Sequence, residues 1–528
     1  MIRPTKQGAG TARVVSIPPP VQGLNARDAL ASMDAADAIT LDNWFPRGND
    51  VMLRRGHQSH VTGLPGNVET LMQYSSGSAN SLFAASGSGI YDVTTPGAVG
   101  AAVVSGLSNA RWQHVVKTTS GGTFLVCCNG ADAMRAYNGT TWTTPTINSV
   151  SSASIIGLTS TPTINSVSSA SIIGLTSHKE RLWMIEKDSA NAWYLATKAI
   201  AGNATAFPLG AVFRMGGRLK AIIPLSQDAG SGPDDFLAFV SDKGEVAIYQ
   251  GTDPGTASEW ALIGVFRVGA PIGDRAFLRV GGDAALITDD GVISLLQAIN
   301  VDRAAANTAT ITDRIRELFS TYVRAYRTNF GWQAISYPAG NWGLFNVPIS
   351  ATQSVQLVMN TITGAWCRFT GQNAFSWSML GNEIYFGGST RVFRADVGGT
   401  DNGADIASDM KTAFQYFKDR GGLKRFTMLR PVFLSNGLPS PRITLDVDFG
   451  NKEPTGSTSF TALGALWDTA VWDIDVWGAD AEQVTQQWLG VHALGRCAAV
   501  RMKMQSSGAT LAVSAFDVLM EPAQATAL

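Results

Sequence analysis

Charge is scarce in this chain. Only 15% of its 528 residues are Asp, Glu, Lys or Arg, and 40 basic side chains face 41 acidic ones. With a formal net charge of −1, nothing marks the chain as a general electrostatic nucleic-acid binder, and so sparsely charged a surface suits cover by partners. The four cysteines, Cys127, Cys128, Cys367 and Cys497, show no CxxC spacing, which removes paired zinc and dithiol motifs. On a strand, adjacent Cys127 and Cys128 point to opposite faces, which argues against a mutual disulfide. All four read as reduced structural thiols of a protein made in a cytoplasm. No apolar run is long enough to cross a bilayer, and the opening Met1-Ile-Arg-Pro-Thr-Lys has no apolar signal core. The expectation is a chain neither exported by Sec nor inserted in a membrane.

Catalytic patterns are equally thin. There is no Walker loop, GxSxG elbow or paired CxxC. His57 and His60 fall on opposite faces of a strand, or loose in a turn, without a carboxylate neighbour to complete a metal set. The pairs Asp446/Asp448 and Asp473/Asp475 place two carboxylates on one strand face. That geometry serves acid–base or calcium chemistry, and equally the solvated side of an edge strand. Basic runs are short, Arg54-Arg55 and Lys424-Arg425, with no aromatic interleaving of the kind a nucleic-acid groove uses. The reading is no catalytic residue, no cofactor and no metal.

What the chain has is glycine, 55 of them, and an apolar fraction of 45% arranged in short runs. One pattern keeps returning: an apolar run, a Gly- or Asp-bearing turn, a second apolar run. It appears as Phe236–Val240, Ser241-Asp-Lys-Gly244, Glu245–Tyr249, again around Thr288-Asp-Asp-Gly291, and again around Gly387-Gly-Ser-Thr390. These are β-hairpin signals. The two Asp-bearing turns resemble the Asp-box turns of sialidase-type propellers in outline, but their spacing differs and no Trp closes them. Hairpins begin near Leu82, Phe124, Leu182, Phe236, Ala284 and Ile384, with one more inside Ala334–Phe345, at a spacing typical of propeller blades.

The prediction is an all-β chain: a β-propeller of about six or seven blades over residues 61–400, with an additional β-sandwich platform domain over 401–528. Residues 1–60 read as an extended N-terminal arm joining that platform, anchored by Trp44 and Phe45, with a short helical turn expected over Asp37–Leu41 under an Asp34 or Ser32 cap. One convincing helix, Thr312–Tyr326, carries Ile315, Leu318, Phe319 and Tyr322 on one face, with Thr312 as N-cap. The inserted segment 144–177 is an unchanged tandem repeat, Thr144–Ser160 followed by Thr161–Ser177, which reads as a duplication in a tolerant loop.

The segment Gly23-Leu-Asn-Ala-Arg-Asp28, through Leu41-Asp-Asn-Trp-Phe-Pro46, to Leu53-Arg-Arg-Gly56 resembles the N-terminal signature of tail nozzle proteins of short-tailed bacteriophages. These are also described as tail hub or packaged-DNA stabilisation proteins. Val358–Phe369 followed by Gly381–Gly388 is similar to a blade of theirs. The resemblance implies a structural virion protein of the tail, assembled in the host cytoplasm as a hexameric ring below portal and adaptor. It also implies a platform that combines both chain ends, a mount for tail fibres or a needle, and a central channel that passes double-stranded DNA without sequence-specific binding. In that setting Trp44, Phe45, Arg54 and Arg55 are the candidate assembly-interface residues. The alternative is a propeller that binds or hydrolyses host-surface glycans. It needs convergent carboxylates or an arginine cluster at the propeller centre, and no local motif announces one.

Overall fold

The structure, a computed structural model, describes residues 12–77, 79–149, 167–228, 233–275, 277–300, 310–462, 483–508 and 510–523. Among the described residues, seven mainly antiparallel sheets follow one another around an axis, each with its innermost strand packed beside the next. The second blade shows how the sequence builds one. Gln113–Thr119, Gly122–Cys128, Arg135–Tyr137 and Trp142–Thr143 pair in order through tight turns. Successive side chains on Gly122–Cys128 alternate between faces. Cys127 therefore enters the core shared with the first blade and Cys128 the core shared with the third. All four cysteines are free and buried.

The third blade uses Ile172–His178, Arg181–Glu186, Asn191–Tyr194 and Gly202–Pro208, and the fourth Leu219–Asp228, Pro233–Ser241, Glu245–Gly251 and Trp260–Arg267. The fifth has Phe277–Val280, Asp283–Thr288 and Gly291–Ser294. The sixth has Gln333–Tyr337, Trp342–Pro348, Ser354–Asn360 and Trp366–Phe369. The seventh, Ser376–Leu380, Glu383–Gly387 and Ser389–Ala395, takes its outermost strand from the front of the chain. Strand His57–Ser76 pairs with Ser389–Ala395 through its first half and with Ala79–Ser86 through its second. One strand thus closes the last blade and opens the first. The switch falls around Pro65, which has no N–H to give to a ladder.

The platform is a sandwich of two sheets. One centres on Lys424–Ser435 and Leu511–Pro522. It is flanked by Leu489–Gly495 and Gln483–Gln486 on one side and by Arg13–Ile17, Val51–Leu53 and Trp44–Pro46 on the other. The other contains Gly23–Leu24, Asp37–Asp42, Ile406–Thr412, Ala498–Ser506 and Arg442–Val447. It runs on without a break from the outer strand of the sixth blade, because Gly23 pairs in parallel with Trp366 and Asp42 with Arg368. Gly23 has φ +79°, and a Cβ there would lie 2.5 Å from the Trp366 carbonyl oxygen, so only glycine allows this approach. Gly56 is held as tightly against Thr400. A single apolar core, with Trp44, Phe345, Trp366, Phe369, Met410 and Phe516, spans the last blades and the platform.

Two local expectations change. Asp37–Leu41 is strand, not helix. A bulge between Ala38 and Thr40 turns both Ala38 and Leu41 inward, which imitates helical spacing. Ser32 and Asp34 therefore cap no helix. Thr312 does not cap the predicted helix either: its hydroxyl accepts from the Val292 N–H, and the α-helix runs Arg316–Tyr326 behind a 3-10 turn at Asp313–Ile315. That helix buries Phe319 and Val323, with Leu318 and Tyr322 half-buried beside them. Asp473 and Asp475 lie outside the described residues.

The tandem repeat, expected as an inserted loop, instead contributes strands to the third blade. In the first copy Ile147–Ser149 pairs in parallel with Gly202–Pro208, and in the second Ile172–His178 forms the innermost strand, with Val167 buried just ahead of it. Because the copies are identical, deleting either one yields the same chain as excising residues 150–166, all outside the described set. Deleting Thr161–Ser177 is therefore expected to leave a soluble protein with an unchanged circular-dichroism spectrum and a melting temperature close to that of the full chain. Loss of soluble protein would show that the fold needs both copies.

Candidate functional site

The four interface candidates separate in the structure. Trp44 is fully buried inside the subunit and Arg54 nearly so. The Arg54 guanidinium donates to both Asp401 oxygens at 2.8 and 2.6 Å, to Asn43 Oδ1 at 2.8 Å and to the Thr370 carbonyl at 2.7 Å. Asp401 is shared with His57, whose Nδ1 lies 3.0 Å away while its ring meets Phe386 and Phe393 edge-on. With every donor direction occupied, Arg54 ties arm, sixth blade and platform together and has nothing left for a neighbouring subunit; Trp44, fully buried, offers no surface to one. Phe45 and Arg55 border a surface cavity of about 410 Å³ together with Trp342 and Ile362, which is 75% exposed.

The rest of the signature does related work. Arg368 forms a bidentate pair with Asp42 at 2.7 and 2.5 Å, and Arg314 reaches Asp37 at 2.7 Å and Gln22 at 2.9 Å. Asn25 donates to Asp37 at 2.7 Å. In the platform Lys411 meets Asp446 at 2.6 Å, both buried. Asp448 lies past the end of strand Arg442–Val447 at φ +48° and accepts from the Arg496 N–H. Asp446 and Asp448 therefore do not share a strand face, and the buried one is held by a lysine. His60 reaches the Val93 carbonyl at 3.0 Å, and no group of three metal-ligating side chains occurs among the described residues.

Sequence reasoning missed a second site. At the end of the propeller axis where the innermost strands begin, loops of blades two to six surround a cavity of about 640 Å³, next to a smaller one of about 240 Å³. Seven cations line the larger cavity, Arg111, Lys187, Arg218, Lys220, Lys243, Arg275 and Arg327, against Asp188, Asp242 and Asp274. In a chain of nearly balanced charge this is a strong local excess. A faint signal exists: Arg111, Arg218, Arg275 and Arg327 each stand a few residues ahead of an innermost strand. They are single residues in separate blades, which no local motif detects.

Within this depression the cations differ in role. Arg275 donates to Thr70 Oγ1 at 2.6 Å, to the carbonyls of Glu69 at 2.9 Å and Trp112 at 3.3 Å, and to Gln333 at 3.4 Å. It fastens blades one, two, five and six, and burial lowers its pKa to about 10, which leaves it charged at neutral pH. Arg111 pairs with Glu69 and lies over the Phe330 ring at 4.3 Å. Arg218 pairs with Asp188 and Lys220 with Asp274. The turn Ser241–Gly244 supplies Asp242, which accepts from the Arg218 N–H, and Lys243. Lys243 and Arg327 are exposed, and among the described residues neither charged end has a partner.

The fold thus defines the class of protein as a β-propeller carrying a β-sandwich platform. No family model matches the chain, and no curated protein does either. Among solved structures it is similar to an exo-β-1,3-galactanase from Phanerochaete chrysosporium with β-1,3-galactotriose. Identity is 10%, 77% of this chain and 95% of that one are covered, and the TM-score is 0.24. It is also similar to YCF48 bound to a D1 peptide, at 10% identity, 66% and 96% coverage and a TM-score of 0.30. At that distance neither likeness carries an argument about this chain's chemistry.

The junction yields a stability test. Burial pushes the Asp401 carboxyl up, but hydrogen bonds from His57 and Arg54 outweigh it and hold the group below the usual carboxylate range. A depressed carboxylate adds stability that is full above its unfolded pKa, about 3.9, and is lost as pH falls through the lower folded value. Arg54→Ala strands a buried charge and is expected to cost about 3–5 kcal/mol in urea unfolding at neutral pH. Asp401→Asn is expected to lower stability at neutral pH and to flatten its loss on acidification below about pH 4. An unchanged urea midpoint for Arg54→Ala would show that the pair holds nothing.

Proposed function

We propose that this chain is a structural tail protein of a short-tailed bacteriophage, a nozzle subunit that assembles as a ring around the DNA exit channel. One observation carries the reading. The segment that resembles the nozzle signature is the piece that joins the sixth blade to a platform made from both chain ends. Its glycines and charges are used where this junction needs them: Gly23 against Trp366, Gly56 against Thr400, Arg54 on Asp401. A conduit must pass a polyanion without holding it, because each phosphate neutralised by Lys or Arg adds affinity. A chain with 40 basic and 41 acidic side chains suits a passive channel. The platform strands expose Val14, Leu438, Val484 and Leu494, apolar groups of the kind a subunit contact covers. Phe45 and Arg55, beside the exposed Ile362, remain the interface candidates on the arm. The reading includes no catalytic step, no cofactor and no membrane insertion. Its partners are further copies of the chain, portal and adaptor proteins, and fibres or a needle.

A second reading, recognition of host-surface glycans by the propeller, is favoured by the cation-lined axial depression. The two readings are compatible in a tail protein. The nozzle reading is tested by mass photometry and electron microscopy of the chain mixed with its portal and adaptor. The expected result is a cyclic oligomer, hexameric, with a bore of roughly 20 Å, wide enough for a duplex with grooves of about 12 and 6 Å. A protein that stays monomeric in that mixture and is absent from virions is not a nozzle.

A further inference from the structure

We infer that the axial depression is a binding site for the acidic end of an oligosaccharide, with Arg327 and Lys243 as the residues that take its carboxylate. The inference rests on the glycan-recognition reading and holds whether or not the chain forms a ring. Its cations fall into two groups. Arg275 is consumed by the blades it fastens, Arg111 is paired with Glu69, Arg218 and Lys220 are neutralised by aspartates, and Lys187 reaches the Gly130 carbonyl at 3.5 Å. Arg327 and Lys243, from different blades, line the same cavity, and among the described residues neither charged end has a partner. Unpaired cations at the mouth of a concave site are placed to meet an anion, and a guanidinium fork matches a carboxylate in two parallel hydrogen bonds.

The same cavity states what else the ligand carries. Asp188, Asp242 and Asp274 present carboxylate oxygens, and Asn109, Gln113 and Asn129 present amides. These are partners for hydroxyl groups. With Asp188 and Asp274 already paired to Arg218 and Lys220, their remaining oxygens are left to accept from hydroxyls, which a uronic- or sialic-type sugar carries around its carboxylate and a polyphosphate or DNA backbone does not. At about 640 Å³ the space falls in the ordinary range for small-ligand pockets, about 300–1,000 Å³. A lone ion would leave most of it to water. Loops from five blades wall the site, so it receives a chain end rather than the middle of a polymer. The half-buried Phe330 ring, held under Arg111, adds an apolar contact for a sugar face.

The test uses the purified full chain and isothermal titration with trigalacturonate, its fully methyl-esterified form, sodium phosphate and a short DNA duplex. Trigalacturonate is expected to bind with an affinity that falls as salt rises. The methyl ester, phosphate and DNA are expected to bind at least about tenfold more weakly, the loss of one charge-assisted hydrogen bond. Arg327→Ala and Lys243→Ala are exposed substitutions outside the blade-fastening contacts. Each is expected to weaken trigalacturonate by about tenfold with melting unchanged. Equal binding of the ester overturns the carboxylate assignment and leaves glycan recognition standing. No binding of either saccharide overturns both. DNA or phosphate binding that disappears in the same variants overturns the saccharide in favour of phosphate.

Discussion

Everything in this molecule depends on one backbone pairing, the parallel contact between the arm and the outer strand of the sixth blade. A propeller blade normally ends in an unpaired edge, which is a liability unless it is covered. Here Trp366–Phe369 is covered by Gly23–Leu24 and Asp37–Asp42, and the ladder continues into Ile406–Thr412 and Ala498–Ser506. The platform is therefore an extension of a blade and not a lobe on a tether. The shared core with Trp44, Trp366 and Phe516 follows from that continuity. So does the tight packing that leaves room for no side chain at Gly23.

Charge is rationed to match. With few ionisable residues to place, the chain puts bidentate pairs where arm, blade and platform meet, Arg54 on Asp401 and Arg368 on Asp42, and another between two platform strands, Arg501 on Asp409. Such pairs add modestly to net stability, yet breaking one leaves an uncompensated charge, so they act as strong selectors of one arrangement. At the axial end the logic is reversed. Only part of the positive charge is neutralised from within, and the remainder faces solvent across a concave surface. The first use fits the scaffold and the second fits a ligand.

The sequence showed the local parts of this fold and hid the distant ones. Each hairpin is two apolar runs and a turn within a dozen residues, so the blades could be read directly from Phe236–Tyr249 or Ala284–Leu296. Arg13–Ile17 pairing with Leu511–Pro522 leaves no local trace, because the hydrogen bonds are backbone to backbone and the partners lie at opposite ends of the chain. Asp37–Leu41 misled because one bulge changes strand periodicity into something that looks helical. Arg54 announced itself by charge, but only the partner Asp401 shows that it faces inward. The axial cations were invisible for the same reason as the arm pairing: a ring gathers single residues from successive blades into one place.

The shared strand and the two-ended platform also set a timetable for synthesis. Strand His57–Ser76 leaves the ribosome early, yet the Ser389–Ala395 strand that closes the ring against it comes only after the other blades, and Leu511–Pro522, the partner of Arg13–Ile17, comes almost last. At about 5–20 residues per second, an arm strand waits on the order of half a minute to more than a minute for its mate. During that interval its edge is open to any other nascent chain. Such late closure leaves the waiting ends in need of shielding, and it means that a truncated product, however many blades it contains, keeps its first strand unpaired.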